Sequence, residues 1–440
     1  MKHLPIEIYE GVAKSLRHYC DQDGYKSSKV SLYNLCLVDK KWYHAATPSL
    51  YRKFESRVEG AFFKLLRTII ERPNLGIHVK SVFLSYSKSS MGWEDRTLRD
   101  TIRSRALALG LPLSDHPDIL FYGSISTLSR DFQDALKGML LLHTPYLTTV
   151  NFGGQVDTRH SNPYRYLDIV ARCSQWHGMK CLRHLRLGVQ FPIDGPESYH
   201  EACLSTLATA FPSAQHLYLE LKYSGNRSSG DLVPASSKPE MSTSTHVVTF
   251  LGNLRSIYIN NPRGGSMSFE RTLGKHVDHC TGVEGVFYNC PQAYAAPFVQ
   301  LMWPLSRTLK RLRVIQTSHE PNETISDALD SDPAALIDSM AGPTSLEVLY
   351  FHMLPYGGLW DLASTMASFM RALPATLRVL SIDGCKSGCL TRGLTQLVDR
   401  VQDGMLPNFC TLYVGPGFCP WSYSFMSELR RHGVNVEPVP

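Results

Sequence analysis

Residues 182–187 read Leu182-Arg183-His184-Leu185-Arg186-Leu187, and residues 254–259 read Leu254-Arg255-Ser256-Ile257-Tyr258-Ile259. Both place apolar side chains at the first, fourth and sixth positions. The alternation from the fourth position to the sixth has the period of two that marks a strand with one buried face. The same hexapeptide starts at Val79, Leu147, Leu182, Ala214, Leu254, Val283, Leu309, Leu346, Leu377 and Phe409, and from Leu147 onward the copies are 26 to 40 residues apart. One copy describes any buried strand. Nine in succession from Leu147 predict a repeated unit of one strand and one helix, in which neighbouring units complete each other's core. A doubly wound α/β domain is the competing architecture, and no glycine-rich phosphate turn follows any early strand to support it.

Helical spacing precedes several copies. Leu204, Leu207 and Phe211 lie ahead of the Ala214 strand, Phe369 and Leu373 ahead of the Leu377 strand, and Leu394, Leu397, Val398 and Val401 ahead of the Phe409 strand. The interval from Val79 to Leu147 is about twice the others, which predicts a degenerate unit around Ile119 to Ile125. Residues 224–245, rich in Ser, Gly and Pro, and residues 318–344, rich in Asp and Glu, are expected to be flexible surface insertions.

The first 72 residues follow a different rule, with apolar residues at spacings of three and four. Pro5 suits a first helical turn, and Ile8, Val12 and Leu16 follow on one side. The polar stretch from Asp21 to Lys29 is expected to be a loop. A second helix bears Leu32, Leu35, Val38 and Trp42, and Thr47-Pro48 is expected to start a third, with Thr47 as its cap and Leu50, Tyr51 and Phe54 pointing inward. A further helix carries Phe62, Leu65, Leu66, Ile69 and Ile70 and ends at Arg72-Pro73.

Leu4-Pro5-Ile6-Glu7-Ile8, followed by Leu35-Cys36-Leu37-Val38 and Lys41-Trp42-Tyr43, resembles an F-box over about residues 4–54. The adjoining Leu65 to Leu84 is similar to filamentous-fungal F-box proteins, so the whole chain resembles fungal F-box-like proteins with carboxy-terminal leucine-rich repeats. The resemblance implies an α/β chain. It implies that residues 1–58 are a small all-α F-box-like domain, 59–78 a connecting helix and turn, and 79–440 an irregular leucine-rich-repeat solenoid with parallel strands. It also implies docking on the Skp-family adaptor of an SCF-type E3 ubiquitin ligase, with Leu4, Pro5, Ile8, Val12, Leu35, Val38 and Trp42 as the adaptor-binding residues. Short helices cannot close a full core, so their remaining apolar surface is buried against a partner. For Leu35, Val38 and Trp42 the plainer reading is that they fill the core of the helical cap itself.

The repeat register identifies a second candidate surface. The residue between the last two apolar positions leaves the core, and from Leu147 onward this column reads Asn151, Arg186, Tyr218, Tyr258, Phe287, Arg313, Tyr350, Ser381 and Tyr413. Aromatic residues and arginine supply binding hot spots when a partner desolvates them, so Arg186, Tyr218, Tyr258, Phe287, Arg313, Tyr350 and Tyr413 are the candidate contacts to a target protein of unknown identity. Strand propensity is the competing reason for aromatic residues in this column.

Composition narrows the other classes. The 440 residues are 43% hydrophobic and 19% charged, with no run of apolar residues long enough to span a bilayer, so no membrane contact and a cytoplasmic or nuclear location are expected. The eleven cysteines lack the dense spacing of a disulfide framework. The net charge of +6 is concentrated in residues 1–110, where 19 Lys and Arg face 11 Asp and Glu. Those charges are dispersed among apolar helix positions without a base-stacking motif, which points away from nucleic acid. His276-Val277-Asp278-His279-Cys280 with Cys290 comes nearest to metal-ligand spacing, and Cys385 with Cys389 is weaker. Ordinary buried or solvent-facing side chains account for both, so no metal or other cofactor is expected. Neither a Gly-x-Ser-x-Gly nor a His-Glu-x-x-His motif is present. The expectation is a non-catalytic adaptor. The alternatives are an F-box-like scaffold without a ligase role and an enzyme with an unrecognised site.

Overall fold

The computed structural model describes residues 5–22, 25–56, 59–84, 96–109, 130–152, 179–192, 197–224, 245–261, 267–291, 298–317, 345–352, 362–383, 387–415 and 423–439. Leu4, the segment around Ile119 to Ile125, and nearly all of the two expected insertions lie outside these residues. The chain divides into two compact units, Met1–Gly188 with Thr209–Ala214, and Val189–Ala208 with Gln215–Pro440.

The first unit begins with helices α1 (Ile6–Gln22), α2 (Tyr25–Cys36) and α3 (Lys40–Tyr51). Ala13, Leu32 and Ala46 are fully buried where the three helices meet, and Leu16, Leu35, Cys36 and Leu50 pack around them. Four expectations are corrected here, the first being that Val38 and Trp42 share a helix with Leu32 and Leu35: α2 ends at Cys36, Val38 lies in the turn after it and Trp42 on α3. The polar stretch from Asp21 to Lys29 is mostly helix, because α2 already starts at Tyr25; Lys and Ser are tolerated on a helix surface, so polarity alone does not mark a loop. The cap of α3 is Asp39, whose carboxylate accepts the Trp42 amide at 2.8 Å, and the helix runs through Pro48. Ending at Thr47 would pull Leu50 away from the cluster that holds Ala46. Thr47 instead donates its hydroxyl to the Tyr43 carbonyl at 2.6 Å beside the proline. Phe54 sits on a strand, β1 (Lys53–Ser56), and not on a helix.

Helix α4 (Glu59–Glu71) buries Phe62, Phe63, Leu65, Leu66 and Ile69. After Arg72 a short helix α5 (Pro73–Gly76) begins on Pro73, where a missing amide proton costs no helical bond. A Cβ at Gly76 would collide with the His143 carbonyl, so only glycine allows α5 to approach the end of helix α7 (Arg130–His143). Strands β2 (Ser81–Leu84), β3 (Thr149–Phe152) and β4 (His184–Pro192) follow β1, each parallel to its predecessor. Ser81 pairs directly with Thr149, so β2 and β3 are neighbours in the sheet. Among its described residues the long interval holds helix α6 (Arg96–Ala108) and α7.

In the second unit the strands are β5 (His216–Ser224), β6 (Ser256–Asn260), β7 (Gly285–Pro291), β8 (Arg311–Thr317), β9 (Val348–His352), β10 (Val379–Asp383), β11 (Thr411–Val414) and β12 (Asn435–Pro438). They too pair in parallel and in chain order. Helices α8 (Glu197–Ala210), α9 (Thr245–Asn253), α10 (Ser268–Lys275), α11 (Leu362–Ala372), α12 (Ser387–Gln402) and α13 (Tyr423–Arg431) alternate with them. The architecture is α/β with parallel strands.

Every copy of the hexapeptide becomes a strand that starts at its third position, and all thirty apolar positions are buried, none more than 7% exposed. The second position contributes its backbone. In copy after copy its carbonyl accepts the two amides that open the next strand: Lys80 from Thr148 and Thr149, Glu284 from Lys310 and Arg311, Glu347 from Arg378 and Val379. That shared acceptor sets the register while leaving the second side chain free to be polar. The two strands without a copy lack one apolar position each. By register, Ser56 of β1 stands where Leu84 stands in β2, and Gly433 with φ +81 precedes β12 where Phe409 precedes β11.

Candidate binding surface

The fifth position of each hexapeptide lies between two buried ones, so its side chain leaves the sheet on the face away from the core. In-register parallel pairing then sets the fifth positions side by side, with strands about 4.8 Å apart. In the second unit Tyr218 pairs with Tyr258, Tyr258 with Phe287, Phe287 with Arg313 and Arg313 with Tyr350. Their rings stack: the Tyr218 and Tyr258 centroids are 4.1 Å apart at 11°, and those of Tyr258 and Phe287 are 6.0 Å apart at 22°. The Arg313 guanidinium carbon lies 5.7 Å from the Tyr350 centroid. Beyond Tyr350 the expected column changes character. Ser381 is only 4% exposed, because this small side chain stands in register between Tyr350 and Tyr413. In the first unit the same position carries Glu55, Phe83, Asn151 and Arg186, with the Lys53 ammonium 5.5 Å from the Phe83 ring.

Polar pairs flank the aromatic rungs two residues away on the same face. His216 Nδ1 lies 2.8 Å from the Ser256 hydroxyl, Asn289 Nδ2 donates to Asn260 Oδ1 at 2.7 Å, and His352 Nδ1 lies 2.8 Å from Asp383 Oδ2. A Cβ at Gly415 would collide with the Asp383 carboxylate, so the absence of a side chain there makes room for the His352–Asp383 pair. Sequence reasoning missed these pairs because the hexapeptide fixes neither its third position, which His216 and Ser256 occupy, nor the residue that follows it. It also missed Arg311, which occupies the third position beside Arg313; both are exposed.

The three-helix part of the first unit leaves a second surface open. Ile8 is 51% exposed, Val12 41% and Val38 63%, and Pro5 is exposed as well. Leu35 packs against the Ala13–Leu32–Ala46 cluster, which removes it from the open surface. Trp42 is half-buried and meets Tyr9 edge-on at 4.6 Å. Exposed side chains that the sequence reading passed over are Ile6, Val30, Tyr33 and Leu37. Val30, Tyr33 and Leu37 recur at three and four spacing, a stripe visible in the sequence.

The residues with metal-like spacing are arranged otherwise. His276 and His279 stack with centroids 6.4 Å apart, while burial pushes the Cys280 thiol up to about 12 and the Cys290 thiol well above its usual range. A thiol so held is a poor ligand, since metals bind the thiolate. Cys385 lies outside the described residues. Among the described residues no three His, Cys, Asp or Glu side chains gather as metal ligands, and no helix is long and apolar enough to cross a membrane. No protein-family model matches the chain, and no curated protein matches it.

Proposed function

We propose that the chain is a non-catalytic adaptor, whose amino-terminal helices dock on a Skp-family adaptor of an SCF-type ubiquitin ligase while its strand column holds a target protein. The observation that carries this reading is the contrast within the helical part. Among the described residues its fully buried core cluster is Ala13, Leu32 and Ala46, three mostly small side chains, while Ile8, Val12, Leu37 and Val38 stay exposed. Side chains of that size left in water favour a partner that covers them, at roughly 25 cal/mol per Å² of apolar area removed. The stacked rungs of the second unit supply contact area at low entropic cost, because the rings already immobilise one another. The chain would then perform no bond chemistry. It would raise the effective concentration of a target near an enzyme held elsewhere in the complex.

Co-purification from the native cell tests the first half. The wild-type chain is expected to retain a Skp-family adaptor, and Ile8→Asp/Val38→Asp to lose it with an unchanged melting temperature, since both residues are exposed. A wild-type chain free of adaptor overturns the ligase role.

A further inference from the structure

We infer that the segment held on the second unit's column is an extended acidic peptide carrying aromatic or proline side chains, its carboxylates meeting Arg311 and Arg313 and its rings lying on Tyr218, Tyr258 and Phe287. The inference rests on the column being the target-capture surface and adds the chemistry of what it takes.

Arg311 and Arg313 alternate along β8, so their side chains leave the same face, and both are exposed. In register, β7 sets Gly285 and Phe287 beside them and β9 sets Val348 and Tyr350. None of these four is acidic. Two of the acidic groups nearby have other partners: Glu284 pairs with Lys310 at 3.4 Å and Asp383 with His352 at 2.8 Å. Among the described residues neither arginine has an ion-pair partner, and the one contact either makes with a neighbouring ring is that of Arg313 with Tyr350. Two like charges two residues apart on one strand face repel each other, and each guanidinium offers the two parallel N–H donors that a carboxylate accepts in bidentate fashion.

The neighbouring rungs define what accompanies the charge. From β8 to β5 is three strand spacings, about 14 Å at about 4.8 Å each, which an extended peptide crosses in about four residues at about 3.4 Å each. Carboxylates at one end of such a span and rings or prolines at the other would meet the two arginines and the Tyr218–Tyr258 stack together. A nucleic acid strand also stacks on rings and pairs with arginine. The unit as a whole opposes it: residues 189–208 and 215–440 hold 18 Lys and Arg against 22 Asp and Glu, a formal −4 that repels a polyanion and leaves only a local positive site.

Fluorescence anisotropy on the full chain tests this with a labelled peptide of two glutamates, a Gly-Ser-Gly spacer and Tyr-Pro-Tyr. Saturable binding is expected, at least tenfold weaker for Arg311→Glu/Arg313→Glu and for Tyr258→Ala. The same peptide with lysines for glutamates, and a labelled oligothymidylate, are expected to bind at least tenfold more weakly than the acidic peptide. No binding by the wild-type chain, binding that survives charge reversal, or oligothymidylate binding of equal strength would each overturn the inference. The natural target recovered from the cell separates the two levels. If it is lost with Tyr258→Ala and kept with the charge reversal, the acidic class falls and the column stands as the contact surface; if both variants keep it, both fall.

Discussion

Two buried histidines show what the fold demands of single residues. His143 donates Nδ1–H to the Met139 carbonyl at 2.8 Å and accepts the Arg105 Nε–H on Nε2 at 3.0 Å, so its ring is held as one neutral tautomer. Burial pushes its pKa down, and the Arg105 charge pushes the same way. His200, 1% exposed against the Phe191 ring at 4.3 Å, is also pushed down by burial, with Glu197 opposing. For both, the folded pKa lies below the unfolded value of about 6.5. As pH falls the unfolded chain takes up protons first, so the stability held above about pH 6.5 is progressively lost toward the lower folded pKa. The urea midpoint is therefore expected to drop between pH 7.5 and 5.5, and His200→Leu to flatten that drop. A wild-type midpoint that stays level across the range would contradict the neutral assignment. Neither histidine was legible in the sequence, because a histidine's burial depends on what other segments bring against it. The same holds for Glu270, fully buried in α10. Its carboxylate accepts Asn261 Nδ2 at 2.9 Å and the Tyr288 hydroxyl at 3.1 Å, the latter from a sixth-position residue that reads as plain core.

At the scale of the element, the hexapeptide separates residues that carry stability from residues that do not. Leu380, at a fourth position, is fully buried; Arg378, at the second position of the same copy, is exposed and contributes its carbonyl to Cys410 and Thr411 of the next strand. Leu380→Ala is expected to cost about 2–5 kcal/mol and Arg378→Ala within about 0.5 kcal/mol in urea unfolding. Equal costs would mean that the second position acts through its side chain. Helix ends were less legible than strands. Asp39 caps α3 where Thr47 carried the sequence signal, because packing of Ala46 and Leu50 on one cluster outweighs the local preference of Thr47-Pro48 to start a helix.

At the scale of the molecule, the proposed duties fall on different units, the adaptor surface on the first and the aromatic column on the second. Each variant is expected to remove one partner and leave the other. Ile8→Asp/Val38→Asp combined with Tyr258→Ala should lose both, each by the factor seen alone, when adaptor and target are quantified in one pull-down. Loss of adaptor from Tyr258→Ala by itself would show that the duties are coupled.

By itself, the chain determined the strands and the column. Ten strands and the alignment of Tyr218, Tyr258, Phe287, Arg313 and Tyr350 follow from a period-two pattern repeated in parallel units, because each apolar position must be buried and a slip of one residue would expose it. Only the tertiary structure decided the remainder: that Leu35 joins the core while Val38 stays open, that Ser381 is covered between two tyrosines, that Gly415 makes room for the Asp383 carboxylate beside His352, and that Arg311 and Arg313 stand without an ion-pair partner among the described residues. Each depends on which side chains distant segments deliver to one place, and no local period records that.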